Sequence, residues 1–142
     1  MQAFCTELKG TAEELDGVKF DVIVVRLLSR FPNTSEEQPA QCASAYHHFE
    51  SIEDVTRTLA FFLKPGGSLM VSDILKPSNE DEVFQHGSHA HIVPHKGGFK
   101  EADMRKAFDA AELQDMSFDK VTSGEKHGRN IDFFLAKGVK LL

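Results

Sequence analysis

Apolar positions along the chain fall into blocks of two kinds. Val22-Ile23-Val24, entered through Phe20-Asp21, is an unbroken apolar run rather than an alternating one. That suits a parallel strand covered on both faces. Residues 51–63 instead space Ile52, Val55, Leu59, Phe62 and Leu63 at helical intervals, which gives one apolar face. Ser51 can accept from the free N–H groups at that helix's start, with Asp54 three residues on as in a capping box. Lys64-Pro65-Gly66-Gly67 ends the helix, because Pro65 has no donor and glycine permits positive φ. Ser68-Leu69-Met70-Val71-Ser72-Asp73 then reads as a second buried strand. Strand, crossing helix, tight turn and strand predict a right-handed βαβ unit over 20–73. Asp73 falls at the C-terminal end of its strand, the edge where open α/β sheets bind ligands.

The remaining chain is read the same way. Residues 2–8 predict a short strand, followed by a loop or helical turn over 9–15 that Thr11 and Glu14 can cap. A helix over 100–112 puts Met104, Ala107, Phe108 and Ala111 on one face, but Lys100 stands where Ser or Thr would cap it. Residues 116–122 predict a strand, 125–129 a turn, and 131–136 a final apolar strand. Two segments are polar. Residues 25–41, with Arg26, Arg30, Pro32, Glu36, Glu37 and Pro39, read as an exposed insertion, although Val25 to Leu28 could extend the strand before it. Residues 77–98 carry His86, His89, His91 and His95 and end in Lys96-Gly97-Gly98, which reads as a turn.

Phe20-Asp21-Val22-Ile23-Val24, then Ala43-Ser44-Ala45-Tyr46-His47-His48-Phe49, then Leu63-Lys64-Pro65-Gly66-Gly67, resemble in this order the later half of class I S-adenosylmethionine-dependent methyltransferases. The similarity is to the small-molecule, ubiquinone/menaquinone-biosynthesis-like group, and it runs on through Gly98-Phe99 to Phe133-Phe134-Leu135-Ala136-Lys137-Gly138. It implies an α/β fold: a partial Rossmann-like sheet of five strands, mostly parallel, with an antiparallel C-terminal hairpin and the N-terminal strands missing. It implies S-adenosylmethionine as cofactor, with Gly10, Thr11 and Ala12 against the adenine and Cys42, Ala43 and Ser44 near the methionine end. The family's glycine-rich loop and ribose-binding carboxylate have no counterpart near the N-terminus, so this stretch by itself is expected to bind the donor weakly. Joining Val24 to Cys42 restores a family-like run, and the intervening residues occupy whole codons beginning with Val and ending with Gln. Residues 25–41 are therefore expected to be dispensable, and translated from a retained intron.

Composition narrows the setting. With 142 residues, 41% hydrophobic and 27% charged, the chain can bury one core. A formal net charge of -6 argues against a nucleic-acid backbone as partner. No apolar run is long enough for a membrane span. The two cysteines, Cys5 and Cys42, suggest no disulfide framework, so a cytoplasmic setting is expected. An unpaired sheet edge would favour self-association.

Methyl transfer from a sulfonium needs alignment, and a base only where the acceptor loses a proton. His47 and His48 are the candidate catalytic residues. Tyr46, Asp73, His91 and His95 are the candidate contacts to a small-molecule acceptor. Each has a structural alternative: a buried histidine bonded to backbone, a strand-end cap at Asp73, or a solvated loop at 86–95. The histidine spacing matches no standard zinc pattern, and no metal is assigned. The competing function is a non-catalytic remnant or interaction module with the methyltransferase fold.

Overall fold

A computed structural model describes residues 8–26, 46–77, 94–126 and 129–142. It contains β1 (Phe20–Arg26), α1 (Ile52–Phe61), β2 (Leu63–Ile74), α2 (Glu101–Ala110), β3 (Leu113–Lys126) and β4 (Arg129–Lys140), with short 3-10 turns at Glu14–Gly17 and Tyr46–His48. The strands form one sheet in the order β1-β2-β4-β3. β1 runs parallel to β2, and β4 runs antiparallel to both β2 and β3. The α/β class and the C-terminal hairpin are as expected. Among the described residues, however, only one of the three pairings is parallel. The hairpin strands are 14 and 12 residues long, more than the sequence suggests, and their short connection forces them antiparallel. Of the strand expected over 2–8, residues 2–7 lie outside the described residues, and Leu8 is not in a strand.

β1 takes the longer of the two readings open at its end and departs from expectation on its faces. Val25 and Arg26 pair with Val71 and Ser72, so the strand continues past the point where the insertion was expected to begin. The β-branched run extends through Val25 and keeps the ladder going; residues 27–41 lie outside the described residues. Nor is the run covered on both faces. Ile23 and Val25 pack against the core, whereas Val22 and Val24 are 50% and 58% exposed.

α1 starts as its sequence dictates, with the Ser51 hydroxyl accepting from the Asp54 N–H at 3.2 Å. Its last carbonyls are satisfied from elsewhere. Lys19 Nζ donates to Phe61 O at 2.8 Å, and Lys140 Nζ donates to Ala60 O at 2.9 Å and Leu63 O at 3.1 Å. Two cations thus sit at the negative end of the helix dipole. α1 passes straight into β2 through Phe62. The Lys64-Pro65-Gly66-Gly67 segment, expected as a turn before the strand, is a bulge inside it: the register steps from Phe20↔Leu63 to Val22↔Ser68. Gly67 is required there, because a Cβ would lie 2.9 Å from Lys64 O and 3.0 Å from Phe20 O.

α2 packs beside α1 and buries Met104, Ala107 and Phe108. The cap that Lys100 cannot supply comes in part from Asp103, whose carboxylate accepts the Lys100 N–H at 2.8 Å. The core joins Leu63, Leu69 and Val71 of β2, Phe134 and Ala136 of β4, and Phe99, Met104 and Phe108. Along β2 the buried positions alternate through Leu69, Val71 and Asp73, which carries a carboxylate onto the core face at the C-terminal end of the strand.

Candidate functional site

Asp73 is fully buried, so its carboxylate must be met by donors. The 3-10 turn Tyr46–His48 supplies most of them. Tyr46 anchors the turn: it has 0% exposure, and its hydroxyl lies 3.1 Å from Thr56 Oγ1. Thr56 in turn donates to Ile52 O at 2.6 Å, which leaves its oxygen to accept the phenol proton. Burial pushes the Tyr46 phenol up to about 12, partly offset by that hydrogen bond. With Tyr46 fixed, the next residue is aimed at the strand end. The His47 N–H donates to Asp73 Oδ2 at 3.2 Å, and His47 Nδ1 lies 2.8 Å from Oδ1 and 3.1 Å from Oδ2. The Ile74 N–H donates to Oδ1 at 2.7 Å.

A carboxylate only accepts, so a neutral His47 carries its proton on Nδ1 and its lone pair on Nε2. That is the tautomer a general base requires. His47 is itself 2% exposed. The half-buried His48 ring lies against it, with centroids 4.3 Å apart and planes at 39°.

Residues 95–99 close over the same edge. The His95 N–H donates to His47 O at 3.3 Å, the Phe99 N–H to Ile74 O at 2.9 Å, and the Lys76 N–H to Phe99 O at 2.8 Å. Gly98 makes this approach possible: its φ is +75°, and a Cβ there would sit 2.6 Å from Ile74 O. The His95 ring packs on Phe99 at 4.9 Å, and its Nε2 is buried with no hydrogen-bond partner among the described residues. Beside these residues opens a cleft of about 470 Å³ between the starts of α1 and α2, lined by Lys76, His95, Lys96, Phe99 and Lys106 among others.

The structure therefore brings together His47, His48, Asp73 and His95. Tyr46, expected as an acceptor contact, is instead a core anchor. Asp73 meets His47 and backbone rather than an open surface. Gly10, Thr11 and Ala12 are not brought to this edge. Gly10 lies against Thr58 and Phe61 in the last turn of α1, at the end of the sheet opposite Asp73. Glu14 ties that loop by accepting from the Lys9 and Thr11 N–H groups at 2.8 Å each, and the hydrogen bond from Thr11 is the main cause holding its carboxyl below the ordinary range. Cys42, Ala43, Ser44 and His91 lie outside the described residues. Thr56, Lys76 and Lys106 enter the site's surroundings without any sequence motif marking them.

No family model matches the sequence. A curated relative from Schizosaccharomyces pombe, described as an uncharacterized methyltransferase, is 32% identical over 114 residues, covering 75% of this chain and 32% of its own length. The chain is a methyltransferase homologue. It spans about a third of the length of the relative it matches. Solved structures agree on the fold. A protein from Bacillus halodurans described as a methyltransferase superposes with a TM-score of 0.55 at 18% identity, over 94% of this chain and 70% of its own. An O-methyltransferase family protein from Burkholderia thailandensis gives 0.52 at 15% identity, over 98% of this chain and 36% of its own. The sheet described above is thus part of a methyltransferase fold, and the His47–Asp73 pair lies at the C-terminal edge of its parallel strand β2.

Proposed function

We propose that this chain contributes the acceptor side of an S-adenosylmethionine-dependent methyl transfer to a small molecule, with His47 as the base that takes the acceptor's proton. The observation that carries the reading is the buried pair, His47 Nδ1 to Asp73 Oδ1 at 2.8 Å, at the ligand-binding edge of a methyltransferase sheet. Asp73 acts as a positioning residue, fixing the ring and its tautomer. His48 packs against that ring. The described residues do not assemble a cradle for the donor: Gly10–Ala12 and the His47–Asp73 pair stand at opposite ends of the sheet, and Cys42, Ala43 and Ser44 lie outside the described residues.

The near-complete burial of His47 favours a second reading, in which the pair only tethers the 3-10 turn to β2. Transfer of a labelled methyl group from S-adenosylmethionine to a panel of small hydroxyl-, amine- and carboxyl-bearing acceptors separates the two. A general base contributes about 10²–10⁴-fold, so His47→Gln should lower kcat by at least about 100-fold with KM little changed. Asp73→Asn should give a smaller loss, also in kcat. Unchanged kcat in His47→Gln, with an equal loss of thermal stability in both variants, would leave only the tether.

A further inference from the structure

The cleft between the starts of α1 and α2 is cationic within an acidic chain. Its ionisable lining consists of Lys76, Lys96, Lys106, His95, Glu53 and Asp103. Both carboxylates are committed. Glu53 pairs with Lys106 at 2.8 Å, and that bond is the main cause lowering the Glu53 carboxyl and raising the Lys106 ammonium. Asp103 accepts the Lys100 N–H. Lys76 and Lys96 have no carboxylate partner among the described residues.

Lys76 also lies close to the Gly97 turn, with Cε 3.4 Å from where a Gly97 Cβ would stand and Nζ at 3.8 Å. The ammonium is thereby laid along the cleft wall. His95 adds a buried ring nitrogen with no hydrogen-bond partner among the described residues, a group that is ordinarily satisfied. A volume of about 470 Å³ falls within the range of small-molecule pockets.

We propose that this cleft binds a small organic anion, its carboxylate or phosphate oxygens held by Lys76 and Lys96 beside the His95 ring. Lys76 and Lys96, both lining the cleft, supply the charge. The cleft adjoins the His47–Asp73 pair through His95 but is lined by neither His47 nor Asp73, and the proposal does not depend on the methyl-transfer reading.

The test titrates the full chain with citrate and with inorganic phosphate at constant ionic strength, followed by calorimetry and by the His95 ring resonances. Saturable binding with a Kd of about 1 mM or tighter, accompanied by a shift of the His95 resonances, is expected for at least one of the two. Whichever binds more tightly distinguishes a carboxylate from a phosphate ligand. Lys76→Gln/Lys96→Gln, at solvent-accessible positions, should weaken binding at least tenfold. The control pair Lys9→Gln/Lys64→Gln, remote from the cleft, should not. Absence of saturation by either anion, equal affinity in the Lys76/Lys96 variant, or unmoved His95 resonances would each overturn the proposal. None of these readouts involves the donor or turnover, so they stand whatever His47 does.

Discussion

Alkaline solution should destabilise this chain through a single phenol. Tyr46 is the one tyrosine, and there is no tryptophan. Burial moves its pKa from 10.0 to about 12 in the folded chain, against the pull of the Thr56 hydrogen bond. Between those two values the unfolded phenol has lost its proton and the folded one keeps it. The unfolded state therefore binds fewer protons, and stability falls as the pH rises from about 10 to about 12. At 1.36 kcal/mol per pH unit, the loss amounts to about 3 kcal/mol. That is a large share of the roughly 5–15 kcal/mol that holds a typical domain. The consequence reaches the site, since Tyr46 anchors the turn that aims His47 at Asp73. Tyrosinate absorbance and far-ultraviolet circular dichroism, followed together, test it. Tyrosinate should appear later than in the denaturant-unfolded chain, and in step with loss of secondary structure. Tyr46→Phe, which costs about 1 kcal/mol at neutral pH, should flatten the alkaline decline. A phenol titrating near its ordinary value with the circular dichroism unchanged would refute the reasoning.

Three other outcomes follow from the geometry. Asp73→Ala strips His47 and Ile74 of a buried acceptor and should cost about 3–5 kcal/mol by urea unfolding; Asp73→Asn, which keeps one oxygen, should cost about 1–3 kcal/mol, and a smaller effect for Ala than for Asn would be inconsistent with the site. Gly98→Ala must adopt positive φ and push Ile74 O away, so its loss should exceed the roughly 1–2 kcal/mol of a left-handed residue alone, with the 95–99 segment exchanging amide hydrogen faster. Val22→Lys/Val24→Lys places charge on the exposed face of the edge strand β1 and should abolish concentration-dependent association in sedimentation runs; a wild-type chain that stays monomeric under the same conditions would remove the premise.

Much of the fold was legible because local signals agreed with it. Ser51 and the spacing of Ile52, Val55 and Leu59 define α1, and Met104, Ala107 and Phe108 define the inner face of α2. The errors have physical causes. A run of Val and Ile has no polar position to mark its outer face, so the exposure of Val22 and Val24 was hidden. Pro65-Gly66-Gly67 is equally good chemistry for a turn and for a bulge, and only the pairing with Phe20 and Val22 decides it. His47 and Asp73 were each singled out, but their contact spans 26 positions and no periodicity encodes it. The lysines of the cleft come from separate segments, each an ordinary surface residue until α1, α2 and the 95–99 segment are brought together.

The strand order bears on how the chain is made. β4 is translated after both β2 and β3, yet it stands between them. A nascent chain on the ribosome therefore holds β2 with one edge open and β3 with no neighbour until β4 has emerged. Register cannot be fixed from the leading end onward; it waits for Ala136 to meet both Val71 and Phe118. Such non-local pairing slows folding and lengthens the time for which apolar strands stay uncovered. Translation speed across β3 and chaperone occupancy at that stage should accordingly govern the yield of this protein more strongly than the stability of either helix.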